Sequence, residues 1–324
     1  MNKIVFIGSG AIATAIGNVL AEKEKYKITL LSIEEDVIAS INNKQINTKY
    51  FPNIKLEPSL KVSADKNILK NAEIIFLALP SSETVKYVQT NKDFINPNAI
   101  LVNLAKGFGD GKRTIVECLE KYCQNKIATL KGPTFARDII KEHHTGITLG
   151  SRDISVLDTF KNLFSDTHII LDYSEDIIGV ELLSILKNIY AIAIGIVDAH
   201  FSSANLRFMI LTNAFKEMKN LLLQFGGESE TMFKYCGFGD FGLTALNDLS
   251  RNRTLGLLIG KGFFSQNISD KILLEGHIAV NVFCEEISKR NSITDYYIIK
   301  ELYKVLNNSY DISKFLNNIL GKSN

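Results

Sequence analysis

Within Gly179–His200, GVELLSILKNIYAIAIGIVDAH, Lys187 and Asn188 stand side by side in an almost unbroken apolar run. A Lys inside a buried helix must find acceptors or give up its proton. Burial favours the neutral amine, the state that a proton-shuttling group needs near neutral pH. The same side chain could instead run along the helix and pair at the surface with Glu181 or another acid; the stretch alone supports both readings. A second chemical cluster is CGFGDFGLTALNDLSRNRTLGLLIGKG at 236–262, with Asp240 among glycines, then Thr244, Asp248 and Ser250-Arg251-Asn252-Arg253. The planar fork of Arg251, flanked by the neutral donors Ser250 and Asn252, suits a phosphate or pyrophosphate. A solvated basic patch at a helix start would read the same way.

The third cluster is the turn Gly8-Ser9-Gly10-Ala11-Ile12-Ala13, placed between an apolar run at 3–8 and a helical pattern reaching about residue 24. Gly8 permits a tight turn, Gly10 lets the backbone approach a pyrophosphate at a helix N-terminus, and Ala13 allows close helix–strand packing. With a second strand at 28–32 closing the βαβ unit, this reads as a dinucleotide site. Glu34 is placed to take ribose hydroxyls. No Arg or Lys lies between Ser32 and Ser40 to hold a 2′-phosphate, so NAD is expected in preference to NADP, with NADP possible.

The elements that must position these residues alternate in type. Strands are expected at 73–79, 100–104, 126–130, 146–149 and 168–171, with a helix over 153–164 and the Ser81 and Ser82 hydroxyls capping another. Lys106 and the Gly132–Ala136 turn fall at carboxyl ends of strands, where ligands lie in open parallel sheets. After residue 173 only helical patterns continue, over 205–225, 268–291 and on to the C-terminus, with Ser174-Glu175-Asp176 supplying the cap and acidic first turn of the long apolar helix. The expected fold is α/β: a Rossmann-type domain with a mostly parallel sheet over 1–173, then an all-α domain over 174–324.

The 324 residues are 46% hydrophobic and 22% charged, as in a globular chain, and a formal net charge of +2 gives no reason to expect nucleic acid as partner. The long apolar stretch would place Glu181 and Lys187 at membrane depth, so a buried core helix is expected rather than membrane insertion. The opening MNKIVFIGSG has no signal-like apolar region, and the four cysteines have no C-x-x-C spacing. Both point to free thiols in a cytoplasmic protein. The five histidines form no zinc pattern, and no metal is expected.

In order and spacing, GSGAIATAI (8–16), the run from NTKYFPNIKL (47–56) to EIIFLALPSS, AKG (105–107), GPTFA (132–136), the Lys187 helix, GFGDFGLT (237–244) and SRNRTLGLLIGKG (250–262) resemble the NAD-dependent glycerol-3-phosphate dehydrogenases over nearly the whole chain. The resemblance implies reversible hydride transfer between NAD(P)H and dihydroxyacetone phosphate, giving sn-glycerol 3-phosphate for glycerophospholipid synthesis, in a homodimer. It makes Lys187 the proton donor and acceptor. Lys106, Asp240, Asn188 and Thr244 become substrate-side polar groups, and Arg251 with Asn252 and Ser250 the phosphate clamp. Gly132, Thr134 and Ala136 match the turn near the nicotinamide and substrate; Lys106 and Arg251 also reach the cofactor, and Leu273 and Glu275 look like distal cofactor contacts. The chain departs from many relatives at Ile12-Ala13, where Trp-Gly is common, and at Leu183-Ser184, where Gly-Gly is usual. Two other readings share these features: a sister dehydrogenase of the 2-keto or β-hydroxyacid type, and a non-catalytic NAD-binding protein.

Overall fold

The computed structural model describes residues 2–263, 270–289, 296–307 and 311–321, with side chains of 270–275 left out. The strands are β1 (Asn2–Ile7), β2 (Tyr26–Leu31), β3 (Lys61–Ser63), β4 (Ile74–Leu77), β5 (Ile100–Asn103), β6 (Ile127–Lys131), β7 (Thr145–Gly150) and β8 (Ile169–Ser174). Among them run α1 (Ala11–Ala21), α2 (Glu35–Lys44), α3 (Ser81–Thr90), α4 (Ile115–Tyr122), α5 (Ala136–Ile139) and α6 (Ile154–Phe164). Then come α7 (Ile177–His200), α8 (Ala204–Gln224), α9 (Asp240–Leu246), α10 (Arg251–Gly260), α11 (Asp270–Lys289), α12 (Tyr297–Asn307) and α13 (Ile312–Gly321). By density of internal contact the chain divides into Met1–Glu181 and Leu182–Asn324.

The first unit is an eight-stranded sheet in the order β3-β2-β1-β4-β5-β6-β7-β8. Every pairing is parallel except β6 with β7. The continuous apolar run of β1 follows from burial on both faces. Ile4 and Phe6 join a core with α1, α2 and α6, while Val5 and Ile7 join another with α3 and α4. Phe6 stacks on Phe76 of β4 with ring centroids 4.3 Å apart. The expected strands are present; the additional one, β3, is a three-residue edge strand too short to show a period. Because the order reverses on either side of β1, the turn after β1 lies at the topological switch point where such sheets bind ligands.

Two helix starts bear on the capping expectations. The N-cap position of α3 is taken by Pro80, with Ser81 and Ser82 as its first helical residues. At α7 the Asp176 carboxylate accepts from the Gly179 N–H at 2.8 Å, so Asp176 is the member of Ser174-Glu175-Asp176 that caps the helix.

The second unit is helical. Helix α7 is long and apolar enough to cross a membrane, but 89% of its most apolar window is buried inside the protein. Tyr190 and Leu186 are fully buried. Cys118, Cys123, Cys236 and Cys284 are free thiols.

Candidate active site

The chain leaves β1 through Gly8 at φ +113°, where a Cβ would stand 2.6 Å from the Ala78 carbonyl oxygen; conformation and space both require glycine. Gly10 takes the N-cap position of α1 without a side-chain cap bond, and no heavy atom lies within 4 Å of where its Cβ would be. That opening at a helix N-terminus suits a phosphate. Ala13 is fully buried against the sheet, Ala11 and Ile12 half-buried. The Ser9 and Ser32 hydroxyls lie 2.7 Å apart, and Ser32 Oγ accepts from the Glu34 N–H at 3.1 Å, tying the ends of β1 and β2 together. Gly8, Ser9, Gly10, Ser32, Glu34 and Tyr50 line one cavity of 720 Å³, within the range of cofactor sites. Turn, helix start, acid and volume therefore fit one end of a nicotinamide dinucleotide.

The segment between Ser32 and Ser40 carries no basic residue, but the fold brings one to it. Glu34 has a basic partner, Lys49, whose ammonium donates to Glu34 Oε1. That pairing raises the Lys49 pKa. Lys49 lies beyond the segment between Ser32 and Ser40 and returns through a turn built on Asn47. The fully buried Asn47 amide donates to Ser9 O at 3.1 Å and to Thr14 Oγ1 at 2.9 Å, fastening that turn to the glycine loop.

At the ends of β5 and β6, Lys106 Nζ donates to Gly132 O at 3.0 Å and Thr134 Oγ1 at 3.3 Å, so three predicted site residues meet; Ala136 opens the short α5 just beyond. Beneath them is a buried group that the sequence reading passed over. Lys131 pairs with Glu181 Oε1 at 3.0 Å and also donates to Ala105 O and Asn103 O. Glu181 accepts in addition from Asn103 Nδ2 at 2.8 Å and from Thr129 Oγ1. Lys131 thereby holds the carbonyls immediately before Lys106. Removing either partner would strand a buried charge, at a cost of about 3–5 kcal/mol. A Lys ending an apolar strand was the only signal.

In the second unit, the two readings of Lys187 are separated by its partners. Lys187 is 5% exposed and donates to Asp240 Oδ1 at 2.5 Å and Thr244 Oγ1 at 2.9 Å. It is a buried amine held by a carboxylate and a hydroxyl, not a surface Lys paired with Glu181. Asp240 opens α9 directly after a π-helical turn, Tyr235–Gly239, a distortion often found at functional sites. Asp240 is itself buried, which makes the pairing with Lys187 necessary. Asn188 follows on α7, half-buried.

Helix α10 meets α7 backbone to backbone. A Cβ on Gly195 would lie 2.3 Å from Arg253 O, and one on Gly256 would lie 2.1 Å from Ile192 O. Arg251 is exposed at the first residue of α10, with Asn252 half-buried beside it. The Ser250 hydroxyl is the α10 N-cap, accepting from the Arg253 N–H at 3.3 Å. The two arginines of SRNR therefore differ in kind. Arg253 bonds Asp198 at 2.9 Å and also pairs with Asp248, while Asp198 takes Arg207 at 2.7 Å. Leu273 and Glu275 fall on α11, but their side chains lie outside the described residues.

The model of the N-terminal part of NAD-dependent glycerol-3-phosphate dehydrogenase matches residues 3–157, and the model of its C-terminal part matches residues 176–317. The chain belongs to that family. Its glycerol-3-phosphate dehydrogenase [NAD(P)+] relatives include one from Methanothermobacter thermautotrophicus, 35% identical over 80% of both chains. Another, from Halothermothrix orenii, is 31% identical over 93% of this chain and 86% of its own. The solved glycerol-3-phosphate dehydrogenase from Coxiella burnetii superposes with a TM-score of 0.89 at 26% identity, covering 99% of each chain. A ketopantoate reductase from Ralstonia eutropha reaches 0.58 at 10% identity and shares the fold alone. The family match sets the sister-dehydrogenase reading aside: this is an oxidoreductase chain of a family that uses NAD or NADP.

Proposed function

We propose that this protein catalyses the reversible reduction of dihydroxyacetone phosphate to sn-glycerol 3-phosphate with NAD(H), NADP(H) also being accepted, and so supplies glycerophospholipid synthesis in the cytoplasm. The observation that carries the reading is the buried amine of Lys187 between Asp240 and Thr244, on a helix packed against the one that begins with Arg251. Residues 1–173 form the cofactor domain in this reading and residues 174–324 the substrate domain; the matched segments, 3–157 and 176–317, lie on either side of that boundary.

Bound nicotinamide would supply hydride to substrate C2, or accept it in reverse. Gly8, Ser9, Gly10, Ala11, Ile12, Ala13 and Glu34 would hold the cofactor, with Lys106, Ala136, Arg251, Leu273 and Glu275 as further contacts. Lys187 as ammonium gives a proton to the developing alkoxide at O2; as neutral amine it removes the hydroxyl proton in reverse. Asp240 favours the ammonium and fixes its direction, with Thr244 as second acceptor and Asn188 beside them. Lys106, anchored on Gly132 and Thr134, adds positive charge where the oxyanion develops. Arg251, Asn252 and Ser250 bind the substrate phosphate and position C2.

The test is NADH oxidation followed at 340 nm with dihydroxyacetone phosphate, wild type beside Lys187→Ala, with NADPH in parallel. Loss of turnover by a factor on the order of 10²–10⁴ in Lys187→Ala, with NADH still bound, is the expected outcome. Wild-type protein that is folded and binds NADH but reduces no phosphorylated ketone would overturn the assignment in favour of a non-catalytic NAD-binding protein.

A further inference from the structure

The acid that would take the ribose hydroxyls does not stand alone. Glu34 lines the 720 Å³ cavity and pairs with Lys49, which stands just outside the lining next to the lining residue Tyr50; both side chains are partly exposed, Lys49 at 46% and Glu34 at 30%. An unpaired carboxylate there would repel the dianion of a 2′-phosphate; a carboxylate neutralised by an ammonium does not. The backbone beneath Lys49 is held firmly. Buried Asn47 fastens the turn to Ser9 and Thr14, and Tyr50 and Phe51 donate their N–H groups to Asn47 O at 3.2 and 2.7 Å. The four-carbon stem of Lys49 is thus the adjustable part, carrying three donors on a strongly hydrated head.

We propose that Lys49 sets cofactor choice: its ammonium neutralises Glu34 when the ribose presents a 2′-hydroxyl and stands between Glu34 and the phosphate, bonded to both, when the ribose carries one, so that one site takes both NAD(H) and NADP(H). The proposal rests on the cofactor assignment above. The cations that line the cavity itself are Lys66 and Lys86. Lys66 donates to Asn91 Oδ1 at 2.9 Å, and both stand on segments other than the Glu34 loop and its Asn47 turn.

Calorimetric titration of ADP-ribose and 2′-phospho-ADP-ribose into the full chain tests this without relying on turnover. Lys49→Met is expected to weaken 2′-phospho-ADP-ribose about tenfold, the loss of one charge-assisted contact, and to leave ADP-ribose within about twofold. Glu34→Gln is expected to do the opposite, weakening ADP-ribose and strengthening the phosphorylated ligand. Equal shifts for both ligands in Lys49→Met, or no shift in either, would overturn the proposal. So would selectivity that follows Lys86→Met instead. If wild type binds neither ligand, the cofactor assignment itself falls and takes this inference with it.

Discussion

At the scale of single residues, partners separate the chemical groups from the structural ones. Lys187 and Lys131 are both buried lysines facing a carboxylate, yet Lys131 is sealed at 0% exposure and its other bonds go to backbone carbonyls. Lys187 instead meets Asp240 and Thr244 on a helix that opens after a π-helical turn. The same logic divides the arginines, since Arg253 is committed to Asp198 and Asp248 and Arg251 is not part of that cluster. Arg251→Ala is therefore expected to raise KM for dihydroxyacetone phosphate about 10- to 100-fold without unfolding the protein. Steady-state kinetics alongside a melting curve checks this; an unchanged KM would remove Arg251 from the clamp. Lys187, Arg251 and the glycine turn were legible in the sequence because odd residues in apolar or glycine-rich surroundings announce themselves. Lys131, Asn47 and Lys49 were not, since each acts on residues far away along the chain.

At the scale of elements, helix α7 carries Lys187 and is held in the second unit by more than apolar packing. Three residues beyond Lys187, the Tyr190 hydroxyl donates to Glu217 of α8 at 3.0 Å. Glu217 also accepts from the N–H groups of Ile298 and Ile299 at the start of α12, at 2.8 and 3.3 Å. Burial pushes the Glu217 carboxyl up to about 7, outweighing these donors. The folded protein consequently holds a proton that the unfolded chain, with its ordinary value of 4.5, releases. Glu217 is thus most favourable to folding below about pH 4.5. Its contribution falls as pH rises through 4.5–7, by on the order of 3 kcal/mol in all, and is level above that. Glu217→Gln keeps an acceptor and cannot titrate, so melting temperatures of wild type minus variant should decline from pH 5 to 7. Parallel curves would show that Glu217 does not titrate in this range. The sequence pattern located α7 as an apolar run and α8 as a helical pattern, with helix continuing to the C-terminus, but a helical pattern cannot say which buried acid receives another helix's N-terminus.

At the scale of the whole molecule, we propose a homodimer, as the family resemblance implies. Phe208, Phe233 and Phe238 add exposed apolar surface on the second unit that association would cover. Light scattering after size exclusion should give twice the 36.2 kDa of one chain; a mass of one chain at micromolar concentration would argue for a monomer. The alternation of elements, the glycine turn after the first strand, and the end of strand signals at Ser174 were determined by sequence alone, because burial on both sheet faces, tight turns and helix periods are local demands on residue type. What only the tertiary structure decided was pairing. Lys187 belongs to Asp240 and not Glu181, Glu181 belongs to Lys131, and Glu34 has a cation 15 residues away. The physical reason is that a charge in or near a low-dielectric interior is satisfied by whichever opposite group the fold brings within hydrogen-bond reach, and spacing along the chain does not encode that distance.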